Sequence, residues 1–354
     1  MVAPNQPEEG RPRRVEMGRA VPVRPPNVSD PKIAAGSGAG SHVGADDLER
    51  QLERVRASAA GGDEGVFGPE SLIWRVDREA AVFLGAGRAL LLQLAHPWVA
   101  AGIAEHSTTL ADPIGRFHRT FEVMYTLVFG NLDQAFAAAR RLHRVHARVR
   151  GSLPATAGGF AEGSPYFAND TATLRWVYAT LVETALITHD LVLTPLTFAD
   201  REAYYEDCRR LGAMFGIAPE SQPADWNVFA AYNEAMWHSD AIAVGPPARR
   251  IAEQVLGGAG RWLRSPGWYR ALTAHLLPRT IREAFELPYG RAERRTAERA
   301  LRWARRIYPV LPEKLRYVGP YQEARGRLRG RAAPGPATQL LNRAWIGRTT
   351  MPRA

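Results

Sequence analysis

The chain has 354 residues, 45% of them apolar and 23% charged, with a formal net charge of +10 and one cysteine. That length and balance suit one large helical domain or two small ones with a sizeable core, and a lone Cys208 excludes an intrachain disulfide. The basic excess falls largely on arginines of the first and last segments with no zinc-finger, KH, RRM or homeodomain pattern, so it reads as a solvated surface with an attraction to anionic membrane rather than as a reader of nucleic-acid sequence.

Residues 1–64 read as a disordered basic segment: Pro, Gly, Ser and Arg without apolar periodicity to about Asp47, then one short polar helix that Gly61-Gly62 breaks. The pair Arg13-Arg14 is followed by VPVRPP rather than by the apolar run an export signal needs, so a cytoplasmic location is expected. The globular part spans residues 65–320. Pro69 to Gly85 reads as a helix with Ile73, Val76, Ala80 and Phe83 inward. Arg88 to Ser107 is apolar on all sides and therefore central; its uncharged run, Ala89 to Ala104, is shorter than the roughly 20 residues of a bilayer span. Pro97 supplies no N–H to the Gln93 carbonyl, which predicts a kink, with His96 placed to satisfy a group the kink frees.

Next comes a helical hairpin. Asp112 caps a helix that begins on Pro113 and ends at Gly130. At about 100° per residue, Arg116, Arg119, Thr120, Val123 and Leu127 share one side, so two cations and a hydroxyl interrupt an apolar face. The second arm runs from Asp133 towards Gly151, with His146 mid-stripe among Ala135, Ala139, Leu142 and Val149, His143 beside it, and Arg140, Arg141, Arg144 and Arg148 opposite. An inward, neutral imidazole has three readings: a core histidine bonded to a carbonyl, a zinc ligand with His143 at helical i, i+3 spacing, or the proximal ligand of a haem. Zinc wants three or four protein ligands and nothing nearby in sequence completes a set, whereas haem needs one imidazole, an apolar slot and polar groups opposite.

Beyond the hairpin, 152–164 is a Gly-rich loop. Asp170 caps a helix to about Leu191 on which Tyr178, Val182, Ala185 and His189 share a face; Tyr178 reads as a core phenol and His189-Asp190 as a helix-end ion pair. Further helices are expected near 200–215, 224–240, 247–256, 266–277, 280–287 and 291–307, the last with Ala297, Leu301, Ala304 and Ile307 inward and its arginines outward. Residues 321–354 are rich in Arg, Gly and Pro and read as a flexible basic tail. The absence of a Gly-rich phosphate loop, a GxSxG elbow and strand alternation argues against nucleotide-dependent and hydrolase chemistry.

Four ordered blocks then carry a resemblance: GRALLLQLAHPWVAAGIAEHS (Gly87 to Ser107), DPIGRFHRT (Asp112 to Thr120), VHARVRG (Val145 to Gly151) and YFANDTATLRWVYATLVETAL (Tyr166 to Leu186). From about Phe67 to Pro312 the chain resembles the catalytic domain shared by latex-clearing proteins (rubber oxygenases) and the MpaB-type oxygenases. The resemblance implies an all-α, single multi-helix bundle with a globin-like core that holds haem b, and an oxygenase acting on a hydrophobic, isoprenoid-like substrate with dioxygen. The proximal histidine falls on His146, with His143 one turn before it. The distal Arg-x-x-Lys-Thr falls on Arg116, Arg119 and Thr120. Arginine thus replaces a lysine; its guanidinium stays protonated and is a poor iron ligand, which implies an open or water-bound resting iron. Tyr178 stands where many relatives carry a histidine, and Glu105 is the nearest counterpart of a distal carboxylate base. Apolar side chains of 88–98 and 176–186 are expected to wall a substrate channel. A non-catalytic protein that binds haem or another apolar ligand is the alternative.

Overall fold

Trp74 and Trp176 show how the helices are locked together. Both are fully buried, and each indole N–H donates to a backbone carbonyl of another helix, Trp74 to Val128 at 2.9 Å and Trp176 to Leu92 at 3.0 Å. The computed structural model describes residues 41–107, 112–257 and 265–354. The helices are α1 (Ala45–Ala57), α2 (Leu72–Asp77), α3 (Ala86–Leu94), α4 (Pro97–His106), α5 (Pro113–Phe129) and α6 (Leu132–His146). After a short antiparallel pair, β1 (Arg150–Ser152) and β2 (Pro165–Phe167), follow α7 (Thr171–Val192), α8 (Phe198–Met214), α9 (Trp226–Trp237), α10 (Pro246–Gly257) and α11 (Gly267–Leu276). The chain ends with α12 (Arg279–Ala284), α13 (Arg291–Ile307), α14 (Glu313–Arg316), α15 (Gly319–Arg327) and α16 (Pro336–Ile346). The protein is thus mostly helical, as its periodicity predicts. One main core runs from Leu48 in α1 to Met351 near the C-terminus, with a smaller cluster around Phe160 and Tyr166.

Four expectations change. Residues 1–40 lie outside the described residues; the short helix expected before Gly61-Gly62 forms as α1, but it is docked on the bundle rather than part of a disordered segment. Leu48, Leu52 and Val55, spaced i, i+4 and i+7, are buried against the bundle. Each such burial is worth about 1.5–3 kcal/mol, enough to order a polar helix. Pro97 breaks rather than kinks the apolar stretch: His96 adopts an extended backbone (φ −85°, ψ 121°), as residues before proline do, and α4 starts afresh on Pro97. Pro69 to Gly85 likewise divides into α2 and a 3₁₀ turn, Ala80–Gly85.

The fourth change is at the C-terminus, where 321–354, read as a flexible tail, contains most of α15 and all of α16, both packed on α5. His118 Nε2 lies 3.1 Å from the Ala344 carbonyl, Gln134 donates to Pro352 O at 2.8 Å, Arg348 pairs with Glu122 at 2.6 Å, and Met351 is buried. The segment is held by the core it covers, a long-range effect that composition does not carry.

Candidate functional site

The hairpin forms as its caps dictate. Asp112 accepts from Gly115 N at 2.8 Å, ahead of Pro113 at the start of α5, while Asn131 and Gln134 form a reciprocal capping box at the start of α6. The tight 130–131 turn makes the arms antiparallel, which sets the first turns of α5 beside the last turn of α6. Arg116 thereby lies close enough to His146 for its charge to act on the imidazole.

His146 is the last residue of α6, five residues before the expected end at Gly151, which instead lies in β1. Its ring is half-buried and makes no hydrogen bond among the described residues. Burial first, then Arg116 and His143, push its pKa from 6.5 down to about 4, so the imidazole is neutral. A helix C-terminus favours a cation, but desolvation and a neighbouring guanidinium outweigh that here. The ring borders a small cavity of about 10 Å³ shared with His143, Asn169, Met214 and Phe215. That space admits one water-sized body.

His143 is differently placed. Its Nε2 lies 2.8 Å from the Val43 carbonyl, and Asn169 Nδ2 donates to the His143 backbone carbonyl at 3.3 Å. Just before α1, then, residue 43 pins this ring, while Glu49 holds Arg140 through two bonds of 2.7 and 2.6 Å. The bland reading, an imidazole bonded to a carbonyl, describes His143 and not His146.

The other predicted residues fall into three groups. Arg116 and Thr120 share the exposed side of α5, and the Thr120 hydroxyl donates to the Arg116 carbonyl at 3.0 Å, which commits its proton to the helix. Arg119 reaches back to Asp112 at 3.3 Å; the Gly115 amide and Arg119 together hold that carboxyl below its ordinary range. Glu105 belongs to another neighbourhood, where it accepts the Tyr166 hydroxyl of β2 while His106 Nε2 lies 3.0 Å from Arg150 O. Tyr178 is buried, its hydroxyl is unpartnered among the described residues, and its ring lies 6.5 Å from Phe215, which lines the cavity while Tyr178 does not. The stretches expected to wall a channel pack on each other, with Leu91, Leu92, Leu94, Trp176 and Leu186 fully buried.

Asn169, Met214 and Phe215 went unremarked in the sequence. Asn169 adjoins the Asp170 cap, which hides it as a turn residue, and the other two close α8, whose approach to α6 is a tertiary fact. Among the described residues no group of three or more His, Cys, Asp or Glu side chains gathers as a metal-ion site. A single axial imidazole requires none.

Fold and site together define a helical protein in which the His146 imidazole, without a hydrogen bond among the described residues, lies near the Arg116 guanidinium; His96, expected to satisfy a group at Pro97, is buried with its Nδ1 unpartnered as well. Residues 74–306 match the family model described as the catalytic domain of the ER-bound oxygenase mpaB/B′ and rubber oxygenase, and the chain belongs to that family. The hairpin lies inside the matched region; α1, α14, α15 and α16 lie outside it. The chain is therefore an oxidoreductase of the oxygenase class. No curated protein and no solved structure matched it.

Proposed function

We propose that the protein is a haem b-dependent oxygenase that uses dioxygen on a hydrophobic substrate of the isoprenoid type, with His146 as the iron ligand. The observation that carries this is a neutral, half-buried imidazole that has no hydrogen bond among the described residues and lies near a guanidinium; His96, also without a bond, has no cation acting on it. A ring nitrogen with no protein partner in an apolar setting is suited to a metal, and the family supplies the oxygenase class. Bound there, haem supplies the capture and activation of dioxygen.

One open imidazole near a permanent cation is a donor set that would suit a porphyrin iron. The space of about 10 Å³, lined by α6, Asn169 and the end of α8, does not hold the macrocycle, so entry requires the end of α8 to stand further from α6. Arg116, permanently protonated, would stabilise negative charge on the oxygen side. Thr120 would donate there only after leaving the Arg116 carbonyl. Arg119, engaged by Asp112, would set the local charge without ligating.

The experiment is incubation of haem-reconstituted protein with an isoprenoid oligomer under labelled dioxygen. Label in the product is the expected result. A stable oxygen complex with no labelled product would overturn the enzymatic reading in favour of a haem-binding protein.

A further inference from the structure

The strongest feature outside the hairpin is a surface on α11 and α13. α13 carries seven arginines against two glutamates. Arg295, Arg299, Arg302 and Arg306 are exposed and have neither an ion pair nor a hydrogen bond among the described residues, whereas Arg305 donates to Leu191 O and Arg294 lies over the Tyr289 ring. Ala297 and Leu301 turn inward, but Ile307, expected to join them, is 45% exposed, and Trp303 is 59% exposed. At about 100° per residue Trp303 and Ile307 lie on the flank next to Arg299 and Arg306.

That flank opens on an apolar groove of about 410 Å³ formed by Trp268 and Leu272 of α11 with Ala300, Trp303 and Ala304 of α13. Past the helix end, Val310 is 79% exposed and Leu315 64% exposed. Scattered exposed apolar residues need no explanation; two tryptophans in one groove bordered by Arg299, with Ile307 exposed one turn on from Trp303, do.

We propose that this surface docks the protein on an anionic phospholipid bilayer. The argument is charge complementarity joined to apolar anchors: free guanidinium groups meet lipid phosphates while Trp303, Ile307 and Val310 enter the headgroup boundary, where amphipathic tryptophan is favoured. Nucleic acid would use the arginines and leave the exposed tryptophan and aliphatic side chains without a role. No described helix is long and apolar enough to cross a membrane, so the contact is peripheral to these helices. It rests on residues separate from the hairpin and stands whether or not haem binds there.

The test is co-sedimentation of the full chain with vesicles of phosphatidylcholine, with and without phosphatidylglycerol. Binding is expected only to the anionic vesicles, and to weaken as salt screens the charges. Arg299→Gln with Arg302→Gln and Arg306→Gln should weaken it by about 100-fold, at about fivefold per arginine. Trp303→Ala with Ile307→Ala should abolish the part that survives high salt and, both residues being exposed, leave the melting temperature unchanged. The proposal is overturned by no binding to anionic vesicles at low salt. It is equally overturned if the Trp303 and Ile307 substitutions leave binding unaltered, as for a charge-only nucleic-acid surface, or turn a dimer into a monomer, as for a contact between two copies.

Discussion

Replacing His146 with glutamine removes its titrating ring from the last turn of α6 and keeps a polar side chain of similar reach. In the folded chain the imidazole titrates at about 4, against an ordinary value of 6.5. Between those values the unfolded chain takes up a proton that the folded chain refuses. The stability this group contributes is therefore present above 6.5 and lost as pH falls towards 4. From about pH 7 to about pH 4.5 the loss amounts to about 2 kcal/mol, a proton being worth about 1.4 kcal/mol per pH unit across that window. Urea unfolding of haem-free protein at the two pH values, for wild type and His146→Gln, reads it directly. The wild type should lose about 2 kcal/mol more than the variant. His96, buried and likewise pushed down to about 4 by desolvation, provides a parallel, so His96→Gln should remove a similar, separate increment. Equal losses with and without His146 would refute the inference that its ring is buried and neutral.

Three further outcomes follow from the same geometry. Arg116→Gln should raise the His146 pKa, since the guanidinium is one of the causes that depress it; an NMR titration of the ring that does not move would place Arg116 elsewhere. Gly65→Ala should destabilise by about 1–3 kcal/mol or more, because φ is +78° and a β-carbon would sit 2.2 Å from the Gly130 carbonyl at the hairpin turn. An unchanged melting curve would contradict that contact. A chain ended after Arg329 should melt well below the full chain and lose protection from hydrogen exchange in α5, because Ile346 and Met351 leave the core and the Ala344 carbonyl leaves His118; identical melting would show that the C-terminal segment holds nothing in place.

What the sequence made legible was local. Asp112-Pro113 and Asp170 act within one turn of their own helices, so the starts of α5 and α7 follow from capping chemistry, whereas the Asn131–Gln134 box went unread and α6 ends at His146 rather than at Gly151. The inward place of His146 followed from the 3.6-residue period, as did the helical character of the chain. What was hidden depends on distant partners: the Val43 carbonyl that claims His143, the Tyr166 hydroxyl that holds Glu105, and the α5 surface that orders α16. Two signals were present and under-read. Leu48, Leu52 and Val55 already have helical spacing, and a threonine inside a helix commonly bonds the carbonyl four residues back, as Thr120 does.

The central claim is that His146 alone among the neighbouring histidines binds a porphyrin iron. The direct measurement is the absorption spectrum of the protein and its single variants, each reconstituted with haem. The account predicts a Soret band in the wild type, in His143→Ala and in His96→Ala, and its loss in His146→Ala. A wild type that takes up no haem, or a His146→Ala protein whose band matches that of the wild type, would contradict it.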